Sequence, residues 1–323
     1  MSLQYAAVAP KALYVEENLD FEFLDIAMAK LNSGLVEQGM NLLVSELTNL
    51  YTTTSTSAWE YALKTSLLNH PIKKILLQDP LTNRALNRPR GYAGDAILMD
   101  MIYYPKTTDL SSISLLGRKI YHYNTSTPLS RTLCRRMKLI SNYLDKFAKE
   151  KPNANILSVA SGHCRELKYS NVLEAREIGQ FVALDHDKAT LEVVNNEYGD
   201  LGLKSVLSSV SDIVKGRVNL GTFDLIYSAG LYDYLSLRFA QKLTRQLYNM
   251  LSPGGKLMLI NIAPNYDEIG FLESYMNWAM IGRGKTELLE VASGLGSDER
   301  ANLNVYNSSL IKSHYHILEI EKK

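Results

Sequence analysis

Hydrophobic and polar positions change rhythm near residue 155. Upstream, apolar residues recur at three- and four-residue steps, the spacing of one helical face. Phe21, Leu24, Met28, Leu31 and Leu35 predict one helix; Trp59, Leu63 and Leu67 predict a second, stopped before Pro71. Met137, Ile140, Leu144 and Phe147 predict a third, ending in the polar run 148–155. Such stripes are the buried faces of amphipathic helices. Downstream, short apolar runs alternate with helical stretches. Ile156–Val159, Phe181–Leu184, Lys204–Leu207, Phe223–Ser228 and Lys256–Ile262 predict five strands. A helix from about Ser236 to Leu251 and a tight turn at Ser252–Gly255 precede the fifth. A hydrophobic helix, Ile269–Met280, and a loop around Gly294–Asn302 lead to a late strand, His314–Glu321. This alternation predicts an α/β fold, a doubly wound, mainly parallel sheet covered by helices. Residues 1–150 are expected to form a helical extension and 151–323 the sheet domain.

The first strand runs into a turn of small residues in Ile156–Glu166, ILSVASGHCRE. Ala160, Ser161 and Gly162 let the backbone pass close to a ligand before Arg165–Val172, expected as a helix. The second strand ends at Asp185, 23 positions after Gly162. A strand, a tight turn, a helix and an acid closing the next strand make the nucleoside-binding half of a Rossmann-like fold. The turn holds the ligand by backbone amides, and the Asp185 carboxylate accepts from the ribose hydroxyls. The glycine that seats a dinucleotide pyrophosphate is missing, and there is no Lys-Ser/Thr pair for a triphosphate. A nucleoside without phosphates fits better, and S-adenosylmethionine is such a ligand. Ala160 and Gly162 would then line it, and Glu166 would meet its amino group. Glu166 is equally explained as a first-turn acid favoured by the helix dipole. Ser211 follows strand three, where an adenine would lie, although Ser211 and Asp212 are also good helix caps.

Strand four runs into FDLIYSAGLYDYL, Phe223–Leu235. The carboxyl ends of strands present ligands in open α/β sheets, so Ser228 and Gly230 are cofactor candidates. Tyr232 is a candidate beside the reacting sulfonium, since aromatic faces suit cations; packing of the next helix also explains Tyr232 and Tyr234. Far upstream, Asn87–Asp95 reads NRPRGYAGD. Asp95 suits the cap of a helix over Ala96–Tyr104, while Arg90 and Tyr92 suit a lid over the cofactor. Asp95, Asp233, His163 and His122 are the candidate proton acceptors, should the reaction need one. Phe271, Met276, Trp278 and Met280 carry more apolar bulk than one buried face requires. Trp278 is therefore expected in an apolar acceptor pocket, with Arg283 or Arg90 available to grip a carboxylate. The plainer account is that this helix packs the extension onto the sheet.

With 35 basic and 34 acidic residues, the formal charge of +1 argues against a broad nucleic-acid surface. Two cysteines, Cys134 and Cys164, make neither a disulfide framework nor a metal pattern, and a reducing, cytoplasmic setting is expected. The histidines form no metal motif, and no Gly-x-Ser-x-Gly elbow occurs. MSLQYAAVAPKAL is not expected to be a secretory signal. No apolar stretch approaches the ~20 residues of a membrane span.

Taken together, the pieces HPIKKILLQDPLTNRALNRPRGYAGD (His70–Asp95), ILSVASGHCRE, ALDHD (Ala183–Asp187) and FDLIYSAGLYDYL carry a family resemblance. LSPGGKLMLIN (Leu251–Asn261) and LESYMNW…GR (Leu272–Arg283) extend it. The chain resembles class I S-adenosylmethionine-dependent methyltransferases. Within them it is similar to the bacterial group typified by extracellular-factor 3-hydroxypalmitic acid methyl ester biosynthesis proteins. The resemblance implies a seven-stranded sheet with its last strand antiparallel and an N-terminal helical extension acting as a lid. It further implies methyl transfer from S-adenosylmethionine to a small-molecule or fatty-acid-like acceptor. His163 stands where many relatives carry proline. Two other classes use similar folds. A nicotinamide-dependent oxidoreductase is opposed by the missing glycine and the Pro-Gly-Gly turn, and a noncatalytic scaffold by the intact Asp185 and Phe223–Leu235.

Overall fold

The computed structural model describes residues 19–175, 178–295, 301–307 and 314–323. The N-terminal stretch read for a signal and most of the expected loop around Gly294–Asn302 lie outside them. The chain divides into two compact units, one built from the residues up to Cys134 with Asn265–Ala279, the other from Arg135–Pro264 with Met280–Lys323.

The first unit is helical: α1 (Glu22–Asn32), α2 (Val36–Thr53), α3 (Thr56–Thr65), α4 (Ile72–Leu76), α5 (Pro80–Asn87), α6 (Ala96–Tyr103), α7 (Leu115–Asn124) and the start of α8 (Pro128–Glu150). Of the first predicted stripe, Leu24, Met28 and Leu31 lie in α1, with Leu24 and Leu31 buried, and Phe21 and Leu35 fall outside it; α2 follows as a separate helix that buries Met40, Leu43 and Leu47. Gly34, with φ +85°, breaks the helix between them, and Leu35 is exposed. Helix α5 starts on Asp79, whose carboxylate accepts from the amides of Leu81 and Thr82, with proline at its first position.

The second unit is a seven-stranded sheet. Its strands are β1 (Ala154–Val159), β2 (Ile178–Asp185), β3 (Lys204–Leu207), β4 (Phe223–Ala229), β5 (Leu251–Ile262), β6 (Ala301–Tyr306) and β7 (Tyr315–Lys322), in the order β3-β2-β1-β4-β5-β7-β6. Strands β1 to β5 pair in parallel, and β7 is antiparallel to both β5 and β6, as the resemblance implies. Helices α9 (Lys188–Tyr198), α10 (Val210–Val214) and α11 (Leu237–Asn249) connect the strands; α12 (Ile269–Tyr275) belongs to the first unit and α13 (Lys285–Ala292) to the second.

Alternate strand residues feed two cores, because a parallel sheet is covered on both faces. Leu157, Val182, Ile226 and Leu257 pack with Leu243, Leu247, Leu288 and Val291 on one face. Ile156, Phe181, Leu225 and Met258 pack with Ile140, Leu144 and Val194 on the other. The order reverses between β1 and β4, which opens a crevice at their carboxyl ends.

Several elements differ from the reading of the sequence. Ser252–Gly255 is not a turn before the strand: Leu251 already pairs with Phe223, and a bulge with Gly254 at φ +73° absorbs the extra residues. The expected helix to Met280 ends at Tyr275, since Asn277 takes φ +49°. Strand β6 is unexpected; its Asn302, Leu303 and Asn304 are exposed at the sheet edge, so they carry no buried alternation.

Candidate active site

The turn after β1 alternates in hand. Ala160 (φ +54°), Gly162 (φ +54°) and Cys164 (φ +50°) are all left-handed. Two of them carry a β-carbon, which costs of order 1 kcal/mol each and persists only where surroundings enforce it. The Ser161 amide donates to Leu184 O at 3.1 Å and the Gly162 amide to Asp185 Oδ2 at 3.0 Å. The helix expected over Arg165–Val172 is instead a short 3-10 turn, Arg165–Tyr169. Ser170 is extended there, and its hydroxyl donates to Asp145 on α8 at 2.6 Å, which draws the chain off the helical path. Buried Arg165 reaches Glu197 on α9 at 2.5 Å and lies 3.3 Å from His163 Nδ1.

Asp185 closes β2 beside this turn, nearly buried. Its Oδ2 accepts from Gly162, and its Oδ1 from the Asp187 amide at 3.0 Å and from His186 Nδ1 at 3.4 Å. The acid that the sequence spaced from Gly162 is therefore locked to that turn. Two main-chain amides fix the carboxylate, and an ionised carboxylate has room for further donors.

Glu166 is also buried. Its Oε1 accepts from the Tyr227 hydroxyl at 2.5 Å. Burial pushes the Glu166 carboxyl up, against the pull of Tyr227, Arg136 and Arg165; burial and Glu166 push the Tyr227 hydroxyl well up. Sequence reading missed Tyr227 because it follows the apolar pair Leu225–Ile226 and reads as one more packed residue of β4. Its signal was a hydroxyl at the fifth position of FDLIYSAG, in register with Ser158 on β1.

At the end of β4 the Ser228 hydroxyl donates to Val159 O at 2.9 Å, tying the rims of β4 and β1. Gly230, at φ +94°, passes under Arg136 of α8. A β-carbon there would meet Arg136 Nη1 at 3.1 Å and Asp233 Oδ2 at 3.5 Å, so a cation and an acid converge over this glycine. Asp233 Oδ1 accepts from the Ile262 amide at 2.7 Å, and its carbonyl accepts from the Ile281 amide at 2.7 Å. Burial pushes its carboxyl up to about 7, while Arg136, the Ile262 amide and Arg283 draw it down. Tyr232 is fully buried, with its hydroxyl 3.0 Å from Thr244 of α11; that contact packs a helix. Arg283 is buried as well. It donates to the carbonyls of Tyr232 (2.6 Å) and Leu235 (2.5 Å) and to Asn261 Oδ1 (2.8 Å). The guanidinium expected to grip an acceptor carboxylate thus braces the loop after β4. Near β3 the capping residue is Ser209, in a reciprocal box with Asp212, and Ser211 stands half-buried in the first turn of α10.

The remaining candidates lie in the first unit. Asp95 caps α6 through the Leu98 amide at 2.9 Å and takes a bidentate pair from Arg84 at 2.9 and 2.8 Å. With 2% exposure and those partners, it is a structural carboxylate more than a base. Arg90 and Tyr92 are half-buried in a loop whose Gly91 and Gly94 have positive φ, and His122 is exposed on α7. Buried Trp278 lines a narrow apolar cleft with Leu133, Phe271, Leu272 and Met276, with Glu268 among its few polar groups. Its Arg88 neighbour donates to the Asn277 carbonyl. Among the described residues no cluster of His, Cys, Asp and Glu could hold a metal ion, and no helix is long and apolar enough to cross a membrane.

Residues 157–259 match the methyltransferase domain family, a span that starts in β1 and ends in β5. No curated protein matches the sequence. Among solved structures, a possible exported protein from Bordetella parapertussis is 16% identical, covers 92% of this chain and 96% of its own, and has a TM-score of 0.56. An S-adenosylmethionine-dependent methyltransferase from Clostridium acetobutylicum is 13% identical over 62% of this chain and 99% of its own, with a TM-score of 0.44. Magnesium protoporphyrin IX methyltransferase from Synechocystis, bound to S-adenosylhomocysteine, is 8% identical over 70% and 98%, with a TM-score of 0.45. Residues 157–259 thus match the methyltransferase domain, within a chain that has the class I S-adenosylmethionine-dependent methyltransferase fold.

Proposed function

We propose that this methyltransferase transfers the methyl group of S-adenosylmethionine to a small, lipid-like acceptor, a carboxylate being the favoured nucleophile. The observation that carries the cofactor reading is the bond from the Gly162 amide to Asp185 Oδ2, which joins a left-handed small-residue turn to the strand-end acid. Ala160 and Gly162 would face the nucleoside, Asp185 its ribose and Ser211 its base. Glu166, Ser228 and Gly230 would flank the amino-acid end. The cofactor supplies an electrophilic methyl group. The chain's own work is to hold the acceptor in line with it and to keep water out.

A carboxylate acceptor is already nucleophilic and needs no base. This reading requires none of Asp95, Tyr232 or His163 to move a proton, in keeping with the packing partners of Asp95 and Tyr232. Calorimetry with S-adenosylmethionine and with NAD tests the cofactor: binding of the first and not the second is expected. A hydroxylated medium- or long-chain fatty acid should protect the protein thermally and accept a methyl group. A screen in which only amines or phenols turn over would overturn the carboxylate acceptor and leave methyl transfer standing.

A further inference from the structure

Three donors already converge on the Asp185 carboxylate: the Gly162 amide at 3.0 Å, the Asp187 amide at 3.0 Å and His186 Nδ1 at 3.4 Å. An ionised carboxylate offers about four acceptor positions. If Asp185 holds both ribose hydroxyls, as the proposed function has it, five donors compete for those four places. One must leave. The Gly162 amide belongs to the left-handed turn, and the Asp187 amide to the residue that caps α9 through Ala189 and Thr190. Neither can withdraw without unmaking the backbone. His186 is a side chain, 54% exposed, at the longest of the three distances.

We propose that His186 is a displaceable donor on Asp185, giving up its place to a ribose hydroxyl, so that protonation of His186 and binding of the cofactor oppose each other. The inference rests on the ribose reading of Asp185. The charged groups that act on the imidazole are Asp185 at the end of β2 and Asp187 at the start of α9; Gly162, from the β1 turn, reaches the same carboxylate as a neutral amide. The bond to Asp185 raises the imidazole's affinity for its proton, against the opposing effect of burial. A ligand that takes over Oδ1 removes that bond, so the proton leaves as the ligand arrives. Affinity therefore falls as pH drops through the titration of His186.

The test uses the full chain and S-adenosylhomocysteine, which carries no sulfonium charge, titrated by calorimetry between about pH 8 and about pH 5.5. For the wild type, Kd should rise about fivefold or more toward the acid end, with a proton released on binding, visible in buffers of different ionisation heat. His186→Ala should be flat within about twofold and bind more tightly than the wild type at the acid end. His186→Asn, which keeps a donor that does not titrate, should be flat as well. A wild-type profile as flat as that of His186→Ala, or an Ala variant that keeps the wild-type slope, overturns the proposal. Asp185→Ala separates the two readings. If it binds as tightly as the wild type, the ribose assignment itself fails; if it loses affinity while the wild type is pH-flat, only the role of His186 fails.

Discussion

Tyr227, in the middle of β4, donates its hydroxyl to Glu166, the second residue of the 3-10 turn after β1, at 2.5 Å. Both groups are buried, so neither can trade the bond for water. Tyr227→Phe should lower stability by about 1.5–3 kcal/mol, the cost of stripping a buried polar group of a charge-assisted partner. Glu166→Gln keeps an acceptor and should cost less. Urea unfolding of the two variants checks the order.

Asp185→Ala should weaken binding of S-adenosylmethionine by about 1.5–3 kcal/mol, measured by calorimetry. The carboxylate also accepts from Gly162 and Asp187, so the alanine variant should lose some stability, by about 1 kcal/mol for each bond. Asp185→Asn retains one acceptor oxygen and should fall between the two in both measurements.

Asp233 gives the fold a pH dependence of unusual sign for a carboxylate. Its folded value is raised from 3.8 to about 7, so between those limits the native state holds a proton that the unfolded chain releases. Its contribution is complete below about pH 4 and is lost as pH rises toward about 7. The slope for one group cannot exceed about 1.4 kcal/mol per pH unit. Asp233→Asn retains an oxygen for the Ile262 amide and should remove this slope from urea midpoints measured across that range.

Gly270 lies where α12 crosses α2. A β-carbon there would sit 2.2 Å from the Leu47 carbonyl oxygen, which is backbone and cannot swing aside. Gly270→Ala should destabilise by about 1–3 kcal/mol through overpacking. A thermal midpoint equal to the wild type's would show that the two helices separate readily.

β1, β2, β4 and β5 were legible because their buried stretches read as apolar runs; β3, an edge strand with Lys204 and Leu207 exposed, was nevertheless placed at its observed limits, Lys204–Leu207. Strand β6 was not, because three consecutive exposed residues, Asn302, Leu303 and Asn304, give ANLNVY no apolar run. The spacing from Gly162 to Asp185 was visible since it follows from strand and turn lengths, and the structure joins the two by a hydrogen bond. The convergence of Arg136 and Asp233 over Gly230 was not visible. These residues are brought together by tertiary packing of α8, and nothing in the local sequence of α8 sets Arg136 apart from its neighbour Arg135. Arg283 shows the reverse difficulty: an arginine near an expected pocket reads as a ligand grip until its three buried acceptors are seen.

After β5 the chain leaves the sheet unit at Pro264, adds Asn265–Ala279 to the helical unit and resumes the sheet unit at Met280. Neither unit is therefore one stretch of sequence. Deleting the N-terminal helices would strip α12 of its partner α2 and expose Ile269, Phe271 and Leu272 to water. The sheet unit cannot be obtained with a single cut, and the helical unit of a relative could be grafted here only with three junctions, after Cys134, after Pro264 and before Met280. The matched domain, residues 157–259, stops just before that excursion. The N-terminal helices and residues 265–279 therefore form one structural piece, which no single excision removes.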